Sequence, residues 1–524
     1  MQRDELFELL ASSPAAICVV TPNRRLARSL GAEFDRYQTE RSKAVWETPQ
    51  IVPFSAFVAA LYDVAQHDPA LANVPSPLTA AQERVVWEAV VRDSELGMLS
   101  SEAGAALAAE TWALAHQWNV APRVRRYTAV ADTRVFVNWA GEYYRRVEAA
   151  HATDAARLPD IVREYLGAGT VSGPLRLVLA GFDETTPQQQ QLFDALVTRG
   201  TVCERFEPTP HVATPRRVRC LDEHDENERM ADWVAAHLAA DARARIGIVV
   251  PQLGSRRRAL TAALDAVLVP DRLLAPASAR PYTVSLGGAL ADIALVAFFL
   301  RSIRLTLGTV PFEVASAVLR SPYFAGSVDE CDARGLVDSQ LRQRCQRSVD
   351  FERIFQGVQA SAHDYDVDQL RAGLRALSQW RAQHATRSRR ASEWASAFSQ
   401  AVQSISAFAG GRTVSEYALD SNDYQALARW QELLGEFAAL DRTVGRLTAA
   451  AALSQLERIA RETIFQPDGG APPVQVLGVL EANALTFDHV WIMGLTAEAW
   501  PPSVQADPLL PIELQRAAGM PGAS

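Results

Sequence analysis

Residues 175–196 read LRLVLAGFDETTPQQQQLFDAL. The apolar run Leu177-Val-Leu-Ala lacks polar alternation, the pattern of a strand buried on both faces. Gly181 ends it, and the glutamine-rich stretch after Thr186-Pro187 has the composition of a helix. Strand, acidic loop and helix in that order form one unit of a parallel α/β sheet. The loop places Asp183 and Glu184 at the C-terminal end of the strand. Two readings of that pair stand open: a magnesium ligand with a catalytic carboxylate, as in nucleotide hydrolases, or a helix N-cap with an acidic first turn.

The same rhythm recurs on both sides. PAAICVVT (14–21) is a short apolar strand ending in a turn at Pro22-Asn23, and Leu26, Leu30 and Phe34 then share a helical face. Gln50-Ile51-Val52 is a second strand, and a helix follows Pro53-Phe54-Ser55. Further strands are expected at 200–206, 218–221, 246–250, 474–480 and 489–494, with an acidic helix over 225–238. Two long stretches break the pattern. Residues 77–166 and 311–464 carry apolar residues at helical spacing with few strand signals. Trp87, Trp112, Trp118 and Trp139 are expected to fill the core of the first stretch. The clusters Arg123–Arg126 and Arg145-Arg146 read as solvated faces. No period of solenoid type is present.

A chain of 524 residues predicts two to four domains. Hydrophobic content of 48% and charged content of 22% are globular values. Mean hydropathy is −0.05, which excludes a polytopic membrane protein. Val284–Leu300 is the most apolar stretch, but Asp292 interrupts it and it reads as a buried helix. The acidic opening MQRDELFELL is no export leader, so a cytoplasmic location is expected. A net charge of −9 excludes a uniformly basic nucleic-acid coat, though not a local basic groove. The five cysteines form no CxxC pair, so no metal site and no disulfide framework is expected, only reduced and mostly buried thiols. Arginine supplies 51 of the 52 basic residues, because Lys43 is the single lysine. No glycine adjoins Lys43, so a phosphate-cradling loop is absent and neither ATP nor magnesium is expected as a cofactor.

Near the end, VQVLGVLEANALTFDHVWIMGLTAEAWP (474–501) joins two strands through a polar loop with Glu481 and Asp488 and ends in Trp500-Pro501. His489 reads as an ordinary strand-end histidine. With this segment in place, the order of motifs resembles the superfamily-1 helicase core in its AddB/RecC-like branch, the helicase–nuclease subunits of bacterial double-strand-break repair. TPNRRLARSL (21–30) resembles the branch's "TPNRRLA" motif along single-stranded DNA. ETPQIVPFSAFVAALY (47–62) resembles its "TLxSF" strand and helix, and LVLAGFDETTPQQQQLFDAL (177–196) its "GFDxFTPQQ" Walker B region. RIGIVVPQLGSRR (245–257) resembles the first strand of the second motor domain. EANALTFDHVWIMGLTAEAWPP (481–502) is the closest match, to "EARGLxFDxVxVLGLxEGxFP".

The resemblance implies an α/β fold of two degenerate P-loop-NTPase-like (RecA-like) parallel-sheet domains, each with a large helical insertion. The implied boundaries are 1–76 plus 167–215 for the first domain, 77–166 for its insertion, 216–310 plus 465–524 for the second, and 311–464 for its insertion. It implies a DNA repair role in binding or channelling single-stranded DNA beside a helicase or nuclease subunit, away from membranes. The alternatives are a DNA-dependent ATPase and a structural partner without DNA contact. Asn23, Arg24, Arg25, Phe54 and Ser55 are the expected DNA-binding residues. Phe54 and Phe57 are open to two readings, base stacking or core. Asp183 and Glu184 are the vestige of a Walker B pair, while Glu481, Asp488 and Trp500 mark the motif loop. The lysine-bearing phosphate loop, the arginine motif after Trp500 and the PD-(D/E)xK nuclease domain of such proteins have no match, so a second domain incomplete at its C-terminus is expected.

Overall fold

The computed structural model describes residues 3–523 except 70, 72, 95–100, 207–212, 272–279, 286, 346, 362, 408–418, 468–471 and 502–504. The chain is mixed α/β and forms two compact units, residues 1–286 with 469–524, and residues 287–468.

The first unit opens with helix α1 (Arg3–Ser12), strand β1 (Ile17–Thr21), helix α2 (Arg24–Glu40), strand β2 (Gln50–Pro53) and helix α3 (Phe54–His67). A helical layer follows: α4 (Ala80–Arg92), α5 (Ser101–Gln117), α6 (Ala131–Ala149) and α7 (Leu158–Ala168). The chain returns as β3 (Arg176–Ala180), α8 (Pro187–Thr198) and β4 (Val202–Phe206). These strands form a parallel sheet of order β2-β1-β3-β4. Alternation sends Cys18, Val20, Leu177 and Leu179 to a core with α3, α7 and α8. Ile17, Val19, Val178 and Ala180 face a second core with α1 and α2. Burial on both faces explains the unbroken apolar runs of β1 and β3.

Next come α9 (Glu223–Ala240), β5 (Ile246–Val249), α10 (Leu253–Leu268) and β6 (Tyr282–Val284), and, past the second unit, β7 (Val474–Leu477), the short helix α11 (Val479–Ala482), β8 (His489–Ile492) and α12 (Ile512–Ala518). Their sheet is also parallel, ordered β8-β5-β7-β6. Ile246, Ile248, Val474 and Val476 pack on α9 and α10. Gly247 lies under the Phe487 ring, whose Cδ2 would stand 2.7 Å from a Cβ there.

Four expectations are corrected. Residues 218–221 form no strand: Leu221 is 91% exposed, and its N–H bonds Asp225 at the entry to α9. Val284, expected to open a helix, ends an edge strand that pairs with β7, and the helix begins only at Ala294. The last segment, expected with the second α/β domain, packs instead in the core of the helical layer: Leu509, Leu510, Leu514 and Met520 join Trp87, Trp139 and Tyr143 there, with Trp112 and Trp118 at its edge. Of the five free cysteines only Cys18 is buried, and Cys331 is exposed. Arg145 and Arg146 pair with Glu142, and Arg146 also with Asp93, at the surface.

The second unit is helical, with strand pairings of two residues only among its described residues, and the expected helical stretch 311–464 lies within it. Phe299, Trp394, Phe398, Trp430 and Phe437 are buried in its core. A buried ion pair, Arg334–Glu330 at 2.7 Å, ties the helix Cys331–Arg344 to the N-terminal N–H groups of Gln369 and Leu370. Among the described residues, no helix is long and apolar enough to cross a membrane.

Candidate nucleic-acid interface

Parallel strands deliver their loops to one edge of a sheet, and ligands of such folds bind there. At the first sheet that edge holds the turn after β1, the start of α3 after β2 and the loop after β3. Asn23 caps α2 by accepting the Leu26 N–H at 2.9 Å, so its side chain is committed to the helix. Arg24 is exposed and has no partner among the described residues. Arg25 is turned inward, donating to Gln475 Oε1 on β7 at 3.1 Å. Burial pushes its guanidinium down from the ordinary value, while the Glu481 carboxylate draws it back up and Arg28 opposes it. Arg25 therefore joins the two sheets and is not presented to solvent as Arg24 is.

Ser55 is exposed in the first turn of α3, whose N-terminus has no side-chain cap. Of the two phenylalanines, one resolves to core and the other lies at its edge. Phe57 is buried, and Phe54 packs edge-on to Phe193 at 5.8 Å, with ring planes at 81°. Phe57 is thereby closed off from a base, while Phe54 keeps a half-buried ring beside the strand end.

Asp183 and Glu184 are exposed. They do not cap the helix, because Thr186 does so with Gln189 in a reciprocal capping box. Asp183 Oδ2 instead accepts from Asn483 Nδ2 at 2.7 Å, and the same amide group reaches the Gly181 carbonyl at 3.3 Å. Gly181 has φ +76°, and a Cβ there would stand 2.4 Å from Leu26 Cδ2 and 3.3 Å from Ala484 Cβ. The β3 loop thus sits directly against the 481–488 loop. Arg3 adds a third tie, donating to Thr486 Oγ1 at 2.7 Å.

Within the 474–501 segment, Glu481 works locally. It accepts the Gly478 N–H at 3.0 Å and the Ser285 hydroxyl, pinning α11 to the end of β6. Asp488 accepts the Arg245 N–H at 2.8 Å, which holds the start of β8 to β5. That bond keeps its carboxyl below the usual range, with the Arg245 guanidinium helping against burial. His489 lies against the His237 ring at 4.2 Å, an ordinary packing role. Trp500 is 43% exposed, in a turn whose N–H bonds the Thr496 carbonyl at 2.9 Å.

Gln475, Asn483 and Ser285 carry the contacts between these segments, and the residues alone gave no sign of it. Their neutral side chains match no acid–base or metal pattern. Among the described residues, no group of three or more His, Cys, Asp or Glu could hold a metal ion. Lys43 is exposed beyond the C-terminal end of α2. That helix has 17 residues and so is about 25 Å long, which separates Lys43 from the strand ends. What the edge offers an anion is the Arg24 guanidinium and the N–H groups at the start of α3. Compared with protein-family models and with curated proteins, the chain matches none.

Proposed function

We propose that this chain is a degenerate helicase-like subunit that binds or channels single-stranded DNA in recombinational repair, in company with a helicase or nuclease subunit. The reading rests on the resemblance to the AddB/RecC-like branch. One structural observation supports it best: two parallel four-stranded sheets meet through Asn483–Asp183 and Arg25–Gln475, and Arg25, Asp183 and Asn483 fall in the segments that carry the resemblance. That is the placement expected of two RecA-like domains facing one another. Arg24 and the open N-terminus of α3 then lie where a phosphate chain would cross the strand ends.

ATP turnover is disfavoured. The sequence has no lysine-bearing glycine loop, and Asp183 is engaged by an asparagine. The reading of a structural partner has one observation of its own. β8 is an edge strand, and Val490 and Ile492 on it are 49% and 52% exposed, an apolar edge suited to a protein neighbour.

The test is fluorescence anisotropy of labelled single-stranded DNA across a salt series. Arg24→Ala is expected to weaken binding and lower the log–log salt slope by about 0.7. Unchanged affinity and slope would remove Arg24 from the interface. ATP hydrolysis that Glu184→Gln abolishes would replace the proposal with a working motor.

A further inference from the structure

The second unit carries a concentrated positive surface that the reading above does not use. Ser388–Arg389 pairs antiparallel with Leu447–Thr448. Each two-residue strand runs straight into a helix N-terminus, Ala391–Ile405 on one side and Ala449–Glu462 on the other. Arg387, Arg389 and Arg390 lie on or beside the first strand, with Arg442 and Arg446 just before the second. Four of the five are exposed, Arg389 being half-buried with its guanidinium 5.8 Å from the Trp394 ring.

These charges are poorly compensated. Arg446 donates twice to the Ser388 carbonyl, at 2.9 and 2.7 Å, so a neutral acceptor holds it in place and leaves its charge intact. Among the described residues, Arg387, Arg389, Arg390 and Arg442 have no carboxylate within ion-pair distance. Two carboxylates stand near the ribbon but bond neutral donors, not these guanidinium groups: Asp441 accepts the Ser392 N–H and hydroxyl at 3.1 and 2.5 Å, and Glu393 accepts the Arg390 N–H at 2.9 Å, so they offset the five positive charges only in part. The buried His384 ring reports the same field. Burial pushes its pKa down, and Arg389 and Arg387 push it further. Two helix N-termini add partial positive charge to the same ribbon. All this stands in a chain of net charge −9.

We propose that the ribbon formed by residues 387–390 and 442–448 binds the phosphate backbone of a nucleic acid, as a contact separate from the strand-edge interface of the first unit. The chemistry of the surface favours that ligand over an acidic peptide. Peptide interfaces take their affinity from apolar anchors seated in pockets. Here the aromatic residues beneath, Trp394 and Trp380, are buried, Val444 and Leu447 are half-buried, and the exposed residues beside the arginines are Thr386, Ser388, Gly445 and Thr448. A surface of guanidinium forks and small polar groups recognises charge at every repeat of a polymer and reads no base.

The experiment uses the full chain and the triple substitution Arg387→Gln/Arg390→Gln/Arg442→Gln, at three exposed sites without ion-pair partners among the described residues. Anisotropy of labelled single- and double-stranded oligonucleotides is measured across a salt series. The log–log slope is expected to fall by about 2 to 3 and affinity at low salt by about tenfold or more, with the melting temperature unchanged. The matching triple lysine variant is expected to keep the slope, because charge carries the contact. Three outcomes overturn the proposal: no nucleic-acid binding by the parent chain at low salt, a slope unaffected by the glutamine variant, or equal competition by poly-glutamate. Arg24→Ala separates the two sites. Binding lost in the glutamine triple and kept in Arg24→Ala sustains the ribbon without the strand-edge interface, and the converse removes the ribbon alone.

Discussion

Glu83 shows how one residue couples the helical layer to pH. It stands in the first turn of α4 and accepts the Ala155 N–H at 2.8 Å. Burial raises its pKa to about 7, opposed by that hydrogen bond and by Arg157 and reinforced by Asp154. The folded chain therefore holds this proton more tightly than the unfolded chain does, and stability is lost as pH rises from 4.5 through about 7. Glu83→Gln keeps the acceptor and removes the charge. It should flatten the pH dependence of the urea midpoint across that window, while an unchanged profile would assign the dependence elsewhere. Asn483 is the second residue with a sharp consequence. Asn483→Ala removes the donor to Asp183 and Gly181, and a loss of about 1 kcal/mol in urea unfolding is expected. No loss would mean that the loops are held together by packing at Gly181 and Ala484 alone.

At the scale of elements, caps and close approaches set the boundaries. α4 and α8 begin with the same device, Thr79 with Gln82 and Thr186 with Gln189, each exchanging side-chain bonds with the other's backbone. Thr186→Ala should cost about 1 kcal/mol, read by urea unfolding. β5 depends on Gly247, because Phe487 occupies the space of a side chain there. Gly247→Ala must displace that ring and should cost about 1–3 kcal/mol. Phe487→Leu in the same background should restore part of it, and failure to do so would place the strain in the backbone. The strands themselves are the most legible elements of this chain. β1, β2, β3, β5, β7 and β8 are apolar runs or strand–turn pairs in the residues. β6 is not, because Tyr282–Val284 adjoins the long apolar stretch that becomes a helix from Ala294, and three residues carry too little pattern to be separated from it.

At the scale of the molecule, the segment after Trp500 ties the end of the chain to the helical layer. Asp507 accepts the Thr111 hydroxyl at 2.9 Å. Gln515 is buried with its amide fully used, donating to the Asp507 and Leu510 carbonyls and accepting the Asp507 N–H. Leu509, Leu510 and Leu514 then close the core around Trp87 and Tyr143. Leu510→Ala should destabilise the first unit by about 2–5 kcal/mol and leave the second unit's transition in place, as followed by denaturant unfolding with hydrogen exchange. Equal loss in both units would show that the two unfold together.

Local pattern determined much of this protein. Unbroken apolar runs on both sides of short turns are the signature of strands buried on two faces, so the parallel α/β segments and the helical stretches between them can be read from the residues. The single lysine and its glycine-free surroundings remove a phosphate loop without any coordinates. Tertiary structure decided which side chains meet. Asn483 and Asp183 lie 300 residues apart, and Arg25 and Gln475 lie 450 apart. No periodicity reaches across such distances, and a neutral asparagine or glutamine looks the same in a loop whether it holds two sheets together or faces water. Burial likewise separated Arg25 from Arg24 and turned Phe57 into core while Phe54 stays half-buried, because neighbours in sequence share a composition but not an environment.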